Sequence, residues 1–126
     1  MRFAAARFVS AAYGYSGRDE DAYNQGVGAT VVWPAFYESP GAAEIERYAA
    51  QVGKTGTESA ALLTRFDVEK TTPDTAEGYA RFETGGGYGP DGELAGKKLA
   101  YRQRMVLARS GSVWKVRAAE KVEETR

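Results

Sequence analysis

The chain has 126 residues, 43% of them hydrophobic and 27% charged, with seventeen basic and seventeen acidic side chains. That mix buries roughly two thirds of the unfolded surface, enough for one core, and excludes a disordered chain, a fibrous repeat and a polytopic membrane protein. The absence of Cys and His removes disulfides, thiolate nucleophiles, the usual Ser and Cys triads and His-based metal sites.

The first helix is predicted from Ala4, Phe8, Ala12 and Tyr15, spaced four, four and three apart, with no capping residue before it. Gly14 and Ser16-Gly17 weaken its end. Asp19-Glu20-Asp21 opens a second helix whose stripe is Tyr23, Val27 and Val31, stopped or kinked by Pro34. The same acidic triplet is the one cation candidate, but it lacks the alternating spacing and closing Glu of a calcium loop. Ser39-Pro40-Gly41 reads as a break. A third helix is predicted over 42–52, with Ile45, Tyr48 or Ala49, and Val52 on one face and Gly53 as its stop.

After Gly56 the period changes from 3.6 to 2. In 62–70, Leu62, Thr64, Phe66 and Val68 alternate with Leu63, Arg65, Asp67 and Glu69. Thr72-Pro73-Asp74 turns the chain. Gly78, Ala80 and Phe82 then alternate with Glu77, Tyr79, Arg81 and Glu83. Gly87-Tyr88-Gly89-Pro90-Asp91-Gly92 has the letters of a dinucleotide fingerprint, but Pro90 interrupts it and no helix follows to meet a pyrophosphate. Gly96-Lys97-Lys98 lacks the first Gly and the Ser or Thr of a P-loop. A strand over 97–109 places Leu99, Tyr101, Gln103, Met105 and Leu107 on one face. Ser110-Gly111 is read as a two-residue hairpin turn, and a last strand runs over 113–122.

Helices first, then four strands joined as hairpins, define an α+β fold, and the simplest count is a single domain over 1–126. The predicted concave face is Leu62, Phe66, Val68, Phe82, Leu99, Tyr101, Met105, Leu107, Trp114 and Val116, covered by Phe8, Tyr15 and Ile45. Gln103 is a polar residue on that face, either lining a cavity or satisfied by a backbone group.

Asp67, Tyr79, Arg81, Tyr101, Arg102 and Arg104 are the available catalytic stock. Asp67, Tyr79 and Arg81 alternate against the apolar positions, as on a solvated face with cross-strand ion pairs. The expectation is therefore no catalytic residue, no cofactor and no metal. Arg65, Tyr79, Arg81, Arg102, Arg104, Lys115 and Arg117 would cluster on the outer face and form an interaction surface. Charge is segregated: residues 1–92 carry eight basic and thirteen acidic side chains, and 93–126 carry nine and four. The stretch 22–37 lacks charge but is too short and polar to span a bilayer, and the N-terminus lacks the apolar run of a signal peptide. The chain itself is expected to be soluble.

An N-terminal Ala-Ala-Arg-Phe-Val-Ser-Ala-Ala-Tyr helix and a final hairpin reading Gly-Ser-Val-Trp-Lys-Val resemble the nuclear-transport-factor-2-like superfamily. Phe8, Tyr13, Tyr15 and Trp114 carry the likeness. Within the superfamily the chain looks most like the extracytoplasmic domain of TcpC-type conjugation proteins, counterparts of the inner-membrane assembly factor of type IV secretion. The resemblance implies a cone-shaped, cystatin-like fold, with helices packed on a curved four-stranded antiparallel sheet. It implies a non-enzymatic scaffold that forms homo-oligomers and contacts other subunits of a membrane complex and the membrane surface, with no specific nucleic acid. It also implies a place on the extracytoplasmic face of the cell membrane, anchored by an N-terminal transmembrane helix absent from this chain. The alternatives from the same superfamily are a small-molecule binder or enzyme of the ketosteroid isomerase or polyketide cyclase type, using the cone cavity, and an accessory protein of a lipid-import complex.

Overall fold

The computed structural model describes residues 1–14, 19–55 and 59–125. Three helices precede a sheet of antiparallel strands, so the α+β reading holds. Helix α1 (Arg2–Tyr13) buries Ala4, Ala5, Phe8, Val9, Ala12 and Tyr13. Tyr15 and Ser16-Gly17, assigned above to this helix and its end, lie outside the described residues. Met1 caps the helix without a side-chain bond, as expected.

Asp19 is the cap of α2 (Glu20–Gly28): its Oδ1 accepts a 2.8 Å bond from the Ala22 N–H. This bond and the two carboxylates of the first turn account for the acidic triplet without a cation. The helix ends at Gly28 rather than running to Val31. Beyond it, the Thr30 carbonyl and the Val32 N–H bond to the backbone of Val116 at 2.9 and 2.8 Å, drawing the segment alongside the last long strand.

A single 3-10 turn (Ala35–Glu38) buries Phe36, whose ring meets Phe8 edge-on at 5.5 Å. Helix α3 runs Pro40–Thr55, longer than predicted at both ends. Ser39-Pro40-Gly41 is its entry rather than a break: the Ser39 hydroxyl donates to the Phe36 carbonyl at 2.6 Å, and Pro40 needs no N–H at the first helical position. Gly41 permits close approach, since a Cβ there would lie 2.9 Å from the carbonyl oxygens of Ala119 and Glu120. Gly53 is interior to the helix instead of its stop.

The main sheet has order β1-β2-β5-β6, formed by β1 (Ala60–Thr71), β2 (Thr75–Gly85), β5 (Leu99–Ser110) and β6 (Val113–Ala119). A fifth strand, β7 (Glu123–Thr125), also pairs with β5. The predicted strand over 113–122 stops at Ala119 as β6, and β7 lies beyond its predicted end. Both follow β5, and between them the chain leaves the ladder at residues 120–122. There Gln103 donates to the Glu120 carbonyl at 2.8 Å and Val122 N–H to Glu44 at 2.9 Å. The glycine-rich connection forms a separate two-stranded ribbon of β3 (Gly87–Tyr88) and β4 (Leu94–Ala95). No helix follows Gly92, so the rejected fingerprint stays rejected. The tight turn after β5 is Gly111-Ser112, one residue later than predicted, because Ser110 still pairs with Val113. Gly111 at φ +64° supplies the left-handed first position that the turn requires.

Phe82, Met105, Leu107 and Val116 are fully buried, and Phe66, Tyr101 and Trp114 pack on the same core from its margin. Each fully buried large side chain contributes about 2 kcal/mol of transfer free energy. Leu62, Val68 and Leu99 are corrections: all three are exposed. In β1 the register slips between Leu63 and Arg65 and again between Val68 and Lys70. The first bulge exchanges the faces midway, so Ala61 and Leu63 point inward before it and Phe66 after it. Period-2 counting across a bulge puts half a strand on the wrong face.

Candidate functional site: the outer sheet face and the filled cone

Register brings Arg65, Arg81 and Arg102 into one row across β1, β2 and β5. The next row holds Asp67, Tyr79 and Arg104. Three arginines abreast would repel, and carboxylates interleave to prevent it. Arg65 and Arg81 share Asp67, the latter at 2.9 Å. Arg102 pairs with Glu123 of β7 at 2.6 Å, and Arg104 pairs with Glu69. The guanidinium groups of Arg102 and Arg104 lie 5.0 and 5.7 Å from the centre of the Tyr79 ring. Hydrogen bonds from Arg65 and Arg81 hold the Asp67 carboxyl below its ordinary range. The bond to Glu69 raises the Arg104 guanidinium further.

Five of the seven predicted surface residues therefore form one cluster, and it is an ion-pair lattice rather than a bare basic patch. Lys115 and Arg117 stand apart on β6. Lys115 faces Ala108, and Arg117 occupies the bulge between Val116 and Ala118. Glu69 and Glu123 were missed as partners. Glu69 follows Asp67 by two residues on the polar side of β1, a signal that was legible. Glu123 lay beyond the predicted end of the last strand.

Among the described residues, Tyr13 and Gln103 form a buried side-chain pair in the interior. Tyr13 donates to Gln103 Oε1 at 3.0 Å, and Gln103 Nε2 donates to the Glu120 carbonyl, so the amide is satisfied at both ends. Burial, then the Glu44 charge, pushes the Tyr13 phenol well above its ordinary range and keeps it a donor. Aromatic rings fill the space above it: Tyr13 stacks on Phe82 at 4.8 Å, Phe82 on Tyr101 at 5.6 Å, and Tyr48 meets Tyr13 edge-on at 5.8 Å. A hollow of about 100 Å³ beside these rings is lined by Tyr13, Tyr48, Ser59, Phe82, Thr84, Tyr101 and Val122. It has room for a few water molecules, and none of the described residues that line it is a carboxylate. An amide facing a phenol can orient a ligand but cannot take a proton from it. Among the described residues no group of three acidic side chains could hold a metal ion, and no helix is long and apolar enough to cross a membrane.

The sheet wrapped on three helices is the nuclear-transport-factor-2-like, cystatin-like fold. No family model matches the chain, and no curated protein is significantly similar to it. Among solved structures, an IcmL-like type IV secretion system protein from Legionella pneumophila superposes with a TM-score of 0.61 at 13% identity, over 98% of this chain and 90% of that one. A candidate aromatic ring hydroxylase from Novosphingobium aromaticivorans gives 0.56 at 22% identity, over 98% and 87%. A hexachlorocyclohexane dehydrochlorinase gives 0.55 at 15% identity, over 99% and 88%. The match spans only 57% of the length of a cystatin-like protein from Caulobacter vibrioides. At these identities the likeness establishes the fold. Proteins of one fold host both a secretion component and enzymes, so function must come from the site.

Proposed function

We propose that residues 1–126 form one domain acting as a non-enzymatic assembly component of a conjugative, type IV transfer apparatus. It works at the extracytoplasmic face of the membrane through self-association and contacts with other subunits. The observation that carries this reading is the pairing of a filled cone with a built outer face. None of the described residues lining the interior hollow of about 100 Å³ is a carboxylate, while Arg65, Tyr79, Arg81, Arg102 and Arg104 form a continuous polar platform across three strands. Arg and Tyr suit such a role because they combine contact area with directional bonding, and a partner carboxylate can take over a guanidinium held by Glu69 or Glu123.

The test is capture and crosslinking with the neighbouring secretion subunits, comparing wild type with Arg102→Glu/Arg104→Glu. Loss of capture by a folded variant is expected. Equal capture, with transfer in cells undiminished, removes the platform from the reading. Turnover of a small hydrophobic substrate by the purified chain would instead favour the enzymatic use of the fold.

A further inference from the structure

The largest exposed apolar side chains converge on the end of the molecule at the β5–β6 turn. Phe3 is 75% exposed and Trp33 74%, with Val113 at 49% and Met1 at 43%. Two hollows meet at Val113. One contains Met1, Phe3, Arg7 and Trp114, and the other contains Val32, Trp33, Arg109 and Lys115. Trp33 is held there by the backbone bond from Val32 to Val116.

The described charged residues that line the two hollows are all basic, with no carboxylate among them. Arg109 has only a 3.6 Å contact to Asp74, which is itself well exposed. Among the described residues, Arg7 and Lys115 have no ion-pair partner. The arginines of the outer sheet face, by contrast, all have one.

We propose that this tip is a membrane-contact surface, which seats Phe3, Trp33 and Val113 at the boundary of an anionic bilayer with Arg7, Arg109 and Lys115 against the headgroups. Shape and charge together select this occupant. Anchors for a protein partner sit in packed pockets, whereas Phe3 and Trp33 project three quarters exposed. A bilayer accepts projecting side chains without a matching cavity, and an indole suits its interface, with an apolar body and an N–H that bonds to headgroups. Arg7 and Lys115, without an ion-pair partner among the described residues, and Arg109, with only the long contact to Asp74, lie beside apolar side chains, a combination drawn to anionic lipid. The inference stands on this end of the fold alone and does not depend on the scaffold reading.

The experiment uses the chain as it is, with phosphatidylcholine vesicles and vesicles of equal phosphatidylcholine and phosphatidylglycerol, at low ionic strength. Co-sedimentation is expected with the mixed vesicles only, weakening as salt is added. In a Trp114→Phe background the emission of Trp33 should shift to the blue on binding. Phe3→Ser/Trp33→Ser should weaken binding by at least about tenfold at unchanged circular dichroism. Lys115→Glu should weaken it as well, and Arg102→Glu/Arg104→Glu should leave it intact. Three results overturn the proposal: no binding to the mixed vesicles; binding lost with Arg102 and Arg104 but not with the tip; or tip substitutions that dissociate an oligomer, which would make the patch a contact between copies.

Discussion

Removing the Tyr13 hydroxyl tests whether the buried Tyr13–Gln103 pair specifies the core. Tyr13→Phe leaves Gln103 Oε1 without its 3.0 Å donor in a side chain that is 1% exposed. An orphaned buried acceptor costs about 1–3 kcal/mol. Gln103→Leu orphans the Tyr13 hydroxyl and gives up the bond to the Glu120 carbonyl, and should cost about 2–4 kcal/mol. The double variant orphans only that carbonyl, which sits at the partly exposed interruption between β6 and β7. Its loss should fall short of the sum of the singles by about 1–2 kcal/mol. Urea denaturation of the four proteins reads this cycle, and unchanged m-values would show that the unfolded reference is common to all. In thermal melts each kcal/mol should appear as roughly 4 °C. Additivity within about 0.5 kcal/mol would refute the claim that the pair acts as a unit.

Three further outcomes are expected. Gly78→Ala should cost about 3 kcal/mol or prevent folding, because its Cβ would overlap the backbone carbonyl oxygen of Asp67 on the paired strand, which must then shift; a midpoint near wild type in chemical denaturation would deny this contact. Phe82→Ala should cost about 3–5 kcal/mol, and Trp114→Ala less, at about 2 kcal/mol, since Phe82 is fully buried between Tyr13 and Tyr101 while Trp114 is only half-buried; denaturation midpoints in the reverse order would contradict that placement. Asp67→Asn should be less stable than wild type at neutral pH. The folded-state carboxyl titrates below its unfolded value, so its contribution is complete above about pH 4 and is lost as pH falls through the lower, folded value. Stability curves of the two proteins should converge in acid, and a constant gap down to full protonation would refute the sign.

Much of the architecture was legible because it rests on local chemistry. The stripe of Ala4, Phe8 and Ala12, the Asp19 cap and the clean alternation of Ala76, Gly78, Ala80 and Phe82 are properties of neighbouring residues, and each forms as read. Gln103, the polar residue on an apolar face, is satisfied by a backbone carbonyl as well as by Tyr13. The face of five surface residues, Arg65, Tyr79, Arg81, Arg102 and Arg104, also followed from alternation plus pairing in sequence order.

What the amino-acid order could determine was periodicity, and periodicity is blind to partners. It assigned Leu62, Val68 and Leu99 inward: the first β1 bulge turns Leu62 out, while Val68 and Leu99 keep the register of the inner rows and are left uncovered. It read Ser39-Pro40-Gly41 as a break, whereas Phe36 and Ala119 make the same residues a helix entry. It ran β6 on to Val122 and missed β7, because nothing local shows that Glu44 and Gln103 will pull the chain from the ladder at 120–122. The neutralisation of Arg102 by Glu123 and of Arg104 by Glu69 was likewise decided by tertiary structure, since these pairs join strands 21 and 35 residues apart. So was the meeting of Phe3, Trp33 and Val113 at one end. Helix stripes and strand alternation are energies of adjacent residues, fixed before the chain closes on itself. Bulges, ion pairs between strands and shared surface patches gain their energy only after closure, once distant segments have paid the entropy of coming together.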